Sequence, residues 1–275
     1  MTDFGKVTNY YQLFDEDARL QSTASGRMEY EMTLKRLLQH LPENATILDL
    51  GGASGTYSFP LASLGHRVYL ADLSDKLIMQ AKEKLKRSPN QNLVSCDVVN
   101  ALDLSRYPDQ MFDAVLVMGP LYHLLEERER AQCVQEVNRV LKPDGLVFAA
   151  FIPYLSGSIA IVDRYFFSPS QVDAENLQAV FRTGQFRNNA NVGFQEGYYP
   201  TSAEICTLFS NAGFSKIRLA SIRSFAYGRE EQMEKLQSPS MRSTILQLAE
   251  SMCELPEIVE TCGHALYIGQ KNTQP

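Results

Sequence analysis

The segment ILDLGGASGTYS, residues 47–58, constrains this chain more than any other. A short apolar run containing one acid passes directly into a loop with Gly51, Gly52 and Gly55, and no large side chain follows until Tyr57. Small residues after a buried strand let backbone N–H groups and a helix start come close to a polar ligand. Loops of this kind belong at the carboxyl ends of parallel strands, where open sheets bind ligands.

The surrounding pattern supplies such a sheet. TILDL reads as a first strand, and residues 55–64 as a helix closed by Gly65. HRVYLAD is a second strand, and 75–87 a helix with Leu77, Ile78, Ala81 and Leu85 inward. NLVSCD is a third strand; residues 111–119 form a fourth, apolar nearly throughout as a strand covered on both faces should be. Residues 126–141 form a helix with Val134, Val137, Val140 and Leu141 inward, and the turn KPDG leads into a fifth strand, LVFAAFI. Ahead of these, residues 28–41 place Leu34, Leu37, Leu38 and Leu41 on one helical face. The expected fold class is α/β, with a doubly wound, mostly parallel, seven-stranded Rossmann-like sheet whose last strand is antiparallel.

After residue 152 the pattern changes. Residues 153–186 read as two helices, and RNNANVGFQEGYYP as a polar turn within a small hairpin. A helix over TSAEICTLFSN, a strand over SKIRLASIRSF, helical residues 229–254 and a strand HALYIG complete the chain. The expected organisation is one domain over 1–275. It comprises an N-terminal helical cap (1–44), a ligand-binding core (45–152), a cover over the strand ends (153–200) and a C-terminal part of the sheet with a helical insertion (201–275).

Composition narrows the partners. A net charge of −6 with a pI near 5.3 gives no global field for nucleic acid or an anionic membrane, so neither is expected as a partner. The five cysteines have no C-x-x-C spacing and suit a reducing compartment. The start MTDFGKVTNYY lacks a signal-peptide pattern, no apolar stretch is long enough to cross a bilayer, and the sequon at Asn44 reads as chance. The expectation is a cytoplasmic monomer or homodimer acting on a small molecule. None of the four histidines has metal-ligand spacing, so no metal is expected.

Four features fall at successive strand ends: the 51–55 loop, Asp72, Asp97, and Met118-Gly119-Pro120. If the ligand is an adenosine, Asp72, 21 residues beyond Gly51, can accept hydrogen bonds from both ribose hydroxyls. Asp97 can accept from an exocyclic adenine amine while the following N–H, that of Val98, contacts the ring. A nicotinamide fingerprint would need G-x-G-x-x-G or G-x-G-x-x-A, and this loop offers G-x-A-x-x-T. The ordered set Asp49-x-Gly51-Gly52-Ala53-Ser54-Gly55, then Asp72 in YLADLS, Asp97 in SCDVV and the segment EVNRVLKPDGLVFAA, resembles the class I S-adenosylmethionine-dependent methyltransferases. The resemblance covers about residues 45–152, with an echo in 197–270. Ala53 stands where that family usually has glycine.

The resemblance implies methyl transfer from S-adenosylmethionine, leaving S-adenosylhomocysteine. It implies donor contacts from Asp49, Gly51, Gly52, Ala53, Gly55, Asp72, Leu73, Asp97, Val98, Met118 and Gly119. Tyr11 and Arg19, on a segment that folds over the donor in related enzymes, are expected at its carboxylate, whereas Tyr10 and Phe14 read as packing. MGPLYHL at 118–124 resembles a bacterial subgroup acting on small molecules. It leaves the fourth strand beside the methyl group, so His123 is a candidate base or positioner for an oxygen or nitrogen acceptor, equally readable as a helix cap. Tyr122 beside it packs on the acceptor's side. The aromatic-rich cover suggests an aromatic or amphipathic acceptor, with Tyr154, Arg164 and Tyr198 as candidate contacts. The acidic and basic run EERER at 126–130 reads as a solvated helix start. The alternatives are an RNA or protein methyltransferase, or a non-catalytic S-adenosylmethionine-binding sensor or partner protein.

Overall fold

The computed structural model describes residues 2–13, 16–188 and 194–273; Phe14 lies outside the described residues. The chain begins with α1 (Phe4–Leu13), α2 (Glu16–Ser22) and α3 (Ala24–His40). The third helix starts earlier than its leucine spacing suggests because the Thr23 hydroxyl caps it, accepting the Gly26 N–H at 3.0 Å. Its inward face also differs from the leucine stripe. Leu37 is buried but Leu38 is 42% exposed, and Arg36 is fully buried. That guanidinium donates to the Ser221 carbonyl at 2.7 Å and pairs with Glu250 at 3.0 Å, so its burial is compensated.

The core follows as β1 (Thr46–Leu50), α4 (Ser58–Ser63), β2 (Arg67–Asp72), α5 (Asp75–Arg87), β3 (Leu93–Val98), β4 (Phe112–Val117), α6 (Glu127–Val140) and β5 (Leu141–Phe151). The glycine loop delays α4 to residue 58, because Gly51, Ala53 and Gly55 all have positive φ and cannot belong to a right-handed helix. Next come α7 (Tyr154–Phe167), α8 (Ala174–Thr183) and the hairpin β6 (Gln185–Arg187) with β7 (Glu196–Tyr198). The chain ends with α9 (Ser202–Asn211), β8 (Phe214–Ser221), α10 (Glu230–Glu234), α11 (Pro239–Met252), α12 (Pro256–Thr261) and β9 (Ala265–Lys271).

The large sheet has seven strands in the order β3-β2-β1-β4-β5-β9-β8. The pairs from β3 through β5 are parallel, and β9 runs antiparallel to both β5 and β8. Side chains alternate across it. Leu48, Leu50, Val115 and Val117 pack with Val134, Val137 and Phe209 on one face. Ile47, Ala114, Leu116 and Phe148 pack with Leu37, Leu61, Ile78 and Ala81 on the other. Strand order reverses between β1 and β4, and a cleft opens there at the carboxyl edge.

Candidate active site

The glycine loop forms the floor of this cleft. Gly51 has φ +73°, and a Cβ built on it would lie 2.5 Å from the Pro120 ring, so only glycine lets the ends of β1 and β4 meet this closely. Asp72 then ties the neighbouring loops together. Its buried carboxylate accepts the Ala53 N–H and the Ser74 N–H, each at 2.8 Å. The cleft is lined by Leu50–Ala53 and Thr56 from the loop, Asp72–Ser74 from the end of β2, and Met118–Pro120, Tyr122 and His123 beyond β4. Its outer wall is α1, through Phe4, Val7, Thr8 and Tyr11, with Arg19 and Leu20 from α2.

Glycine also decides where Arg19 stands. A Cβ on Gly26 would lie 2.4 Å from the Arg19 carbonyl, so the backbones of α2 and α3 touch at this point. Arg19 lines the cleft and pairs with Glu29 at 3.3 Å. Small residues on the floor, a carboxylate beside apolar walls and a guanidinium at one end fit a nucleoside carrying a carboxylate-bearing tail. Asp72 is the acid suited to sugar hydroxyls, and Arg19 is the cation suited to the tail.

Asp49 and Gly55 lie beneath the loop and do not line the cleft. Asp49 is fully buried, accepts the Ser58 hydroxyl at 2.6 Å, and has its pKa raised by burial to about 6. Gly55 sits against the Phe59 ring. Asp97 and Val98 are not among the residues lining the cleft. Asp97 pairs with Arg106 at 2.7 Å, and Val98 is 53% exposed. The cleft wall beyond β3 is made by the next three residues, Val99, Asn100 and Ala101.

His123 lines the cleft and is buried. Burial lowers its pKa to about 4, opposed in part by a hydrogen bond with the Glu196 backbone. Nε2 lies 2.9 Å from the Tyr11 hydroxyl, so Nδ1 carries the Glu196 bond and the ring is neutral at pH 7. Tyr122 lines the same cleft with its ring centroid 4.8 Å from that of His123.

The structure does not bring the other expected acceptor contacts there. Tyr154 donates to the Phe181 carbonyl at 2.6 Å, and Arg164 to Gln171 at 3.0 Å. Tyr198 donates to Glu204 at 2.8 Å beneath the Arg130 guanidinium, which sits 3.6 Å from its ring centre. These three build the cover itself. Phe166 and Phe167 are 71% and 86% exposed, so they form no stacking pocket. The cover reaches the site through its hairpin, where Phe194 packs 5.2 Å from the His123 ring. The run 126–130 is not wholly solvated either. Glu129 and Arg130 are buried, the former accepting the Thr2 hydroxyl and N–H, the latter donating to the Leu124 and Leu125 carbonyls.

Two parts of the site escaped the sequence reading. Phe4, Val7 and Thr8 share a helical face with the expected Tyr11, at a spacing that could have been read. Glu29 gave a weaker signal, an acid inside an apolar helical stripe. It is buried beside the His264 ring, Arg19 and Arg223; burial favours its neutral form, yet the hydrogen bond with His264 and the two guanidinium groups hold it well below the usual carboxylate range.

Residues 48–149 match the model of a methyltransferase domain. A ubiquinone/menaquinone biosynthesis C-methyltransferase of Proteus mirabilis is 28% identical over 60% of this chain and 64% of its own length. A tRNA 5-carboxymethoxyuridine methyltransferase of Escherichia coli is 29% identical over 43% of this chain and 44% of its own. The chain thus spans less than two thirds of the length of these curated relatives. A solved S-adenosylmethionine-dependent methyltransferase from Methanosarcina mazei shares the fold with a TM-score of 0.60 at 22% identity, covering 87% of this chain and 98% of that one. Residues 48–149 are thus a methyltransferase domain, and the fold around them is the one seen in solved S-adenosylmethionine-dependent methyltransferases.

Proposed function

We propose that this chain transfers a methyl group from S-adenosylmethionine to an oxygen or nitrogen of a small molecule. The observation carrying this reading is the cleft that joins Asp72 on the loops after β1 and β2 to Arg19 at its outer wall. The bound donor supplies a methyl group activated on a sulfonium. Asp72 accepts the ribose hydroxyls, Arg19 takes the carboxylate, and Leu73, Val99, Ala101 and Met118 offer apolar surface to the base and thioether. Tyr11, held by His123, closes α1 over the donor and excludes water. In this reading His123 is a positioning residue. A small acceptor is favoured over RNA by the net charge of −6 and by the N-terminal helices that narrow the entrance.

The test is calorimetry with S-adenosylhomocysteine, followed by a methyl-transfer assay on panels of phenols, amines, carboxylates and bulk tRNA. Asp72→Ala should weaken product binding by about 1.5–3 kcal/mol, roughly 10- to 150-fold. Unchanged affinity would remove Asp72 from the donor site. Binding without turnover on any panel would favour a sensor or partner protein, and turnover confined to tRNA would overturn the small-molecule assignment.

A further inference from the structure

Beside the donor cleft lies a second group of titratable side chains that the reading above leaves unused. His264 Nδ1 is 2.9 Å from Glu29 Oε2, and Glu29 also holds Arg19 at 3.3 Å and Arg223 at 3.6 Å. Arg223 in turn pairs with Glu230 at 2.7 Å. The Glu29 carboxylate is buried, and its partners keep it ionised. A carboxylate on Nδ1 fixes the tautomer, so Nδ1 carries the hydrogen and Nε2 the basic lone pair.

The topology puts this imidazole at the carboxyl edge of the sheet, behind the cleft-lining Tyr122. His264 immediately precedes β9, and Ala265 pairs with Phe151, the last residue of β5. Because β9 runs against its neighbours, its first residue stands level with the carboxyl ends of the parallel strands. The His264 ring lies 6.2 Å from that of Tyr122, which lines the cleft next to Gly119. The two histidines flanking Tyr122 differ in availability. His123 is buried with both nitrogens engaged. The side chain of His264 is 23% exposed, and among the described residues its Nε2 has no hydrogen-bond partner.

Resting on the methyl-transfer reading, we propose that His264, oriented by Glu29, is the proton acceptor for the methyl acceptor. The acceptor class is then a molecule whose reacting O–H or N–H keeps its proton at neutral pH, such as an alcohol, a phenol or an alkylammonium, rather than a carboxylate. The step balances. The acceptor's proton goes to Nε2 of His264, from an ammonium before attack and from a hydroxyl during it; the acceptor's lone pair forms the new bond to carbon, and the old carbon–sulfur pair is left on sulfur. Glu29 stabilises the imidazolium so formed, and Arg223 and Glu230 hold Glu29 in place.

The full chain, His264→Ala and Glu29→Gln are compared. With a phenol or amine from the panel, His264→Ala should lower kcat by about 10²–10⁴-fold, and imidazole in the buffer should restore about tenfold or more. Its affinity for S-adenosylhomocysteine should stay within about threefold of the parent, which separates this loss from a failure of the donor site. Independently of any acceptor, diethyl pyrocarbonate should acylate His264 before His123, read by peptide mass spectrometry, and Glu29→Gln should slow that acylation. Undiminished turnover in His264→Ala, a loss that imidazole does not rescue, turnover restricted to carboxylates, or a His264 that resists acylation would each overturn the proposal. Loss of product binding by the parent chain would instead overturn the donor reading on which it rests.

Discussion

Ala53 is where a single methyl group shows most clearly in the backbone. It has φ +52°, a left-handed conformation that costs an L-residue about 1–2 kcal/mol, so the loop keeps its shape against a local preference. The carboxylate of Asp72, accepting the Ala53 N–H at 2.8 Å, is what opposes that preference. Ala53→Gly relieves the strain but frees the unfolded chain, and the two effects differ by roughly 0.5–1 kcal/mol in favour of the variant. Chemical denaturation should therefore show a small gain in stability, with affinity for S-adenosylhomocysteine retained. A clear loss of stability would mean that the methyl group packs against something the loop needs. A backbone demand that selects the side chain is legible in the sequence, as at Gly51, where φ is +73°. A side chain whose partner comes from far along the chain, as with Glu29 and His264, leaves no such mark.

At the scale of elements, α1 behaves as a strap. Thr2 is held at one end by Glu129, through its N–H at 3.1 Å and its hydroxyl at 2.5 Å. Lys6 pairs with Glu196 of β7 at 3.3 Å, and Tyr11 bonds His123. The Lys76 ammonium of α5 donates to the Tyr11 carbonyl at 3.1 Å. Glu129→Ala leaves the Thr2 N–H and hydroxyl without their buried acceptor, a loss of about 1–3 kcal/mol borne by this strap. Limited proteolysis should then cut within residues 2–13 faster than in the parent, and S-adenosylhomocysteine should slow the cutting by closing α1. Unchanged protection would show that the ion pair and the Tyr11 bond suffice. The elements of the sheet were legible because burial on a fixed period leaves its mark locally; the face of α1 carries the same mark, and only the structure brought it out. The capping box at α9 was equally plain, with Thr201 and Glu204 satisfying each other's backbone N–H groups. The end that Glu129 fastens was not, since an acid in a first helical turn ordinarily signals only the helix dipole.

For the molecule as a whole, two buried groups give opposite slopes to stability against pH. His123 has a folded pKa of about 4 against an ordinary 6.5, so the unfolded chain binds more protons between those values. Its contribution is complete above pH 6.5 and is lost as pH falls towards 4. Asp49 has a folded pKa of about 6 against 3.8, so the folded chain binds more protons in its interval. Its contribution is complete below pH 3.8 and is lost as pH rises through 6. The two largely offset each other between pH 4 and 6, and substitution should expose each slope. Asp49→Asn should become steadily more stable with rising pH over that range, and His123→Gln steadily less. Thermal unfolding across pH 4–7 reads this directly; parallel curves for the two variants would show that neither group carries its shift.

The sequence by itself determined the sheet, its helical layers and the glycine floor, because strand burial, helix periodicity and left-handed turns are imposed by neighbours within a few residues. It also marked Asp72, which ends β2 at a spacing fixed by one crossover. Only the tertiary structure decided which residues face the cleft from elsewhere. The Glu29–His264 pair joins residues 235 positions apart, and Tyr11 meets His123 across 112. Those meetings depend on β9 inserting antiparallel beside β5 and on α1 folding back over the strand ends. No local pattern encodes either contact, because each is set by how whole elements pack.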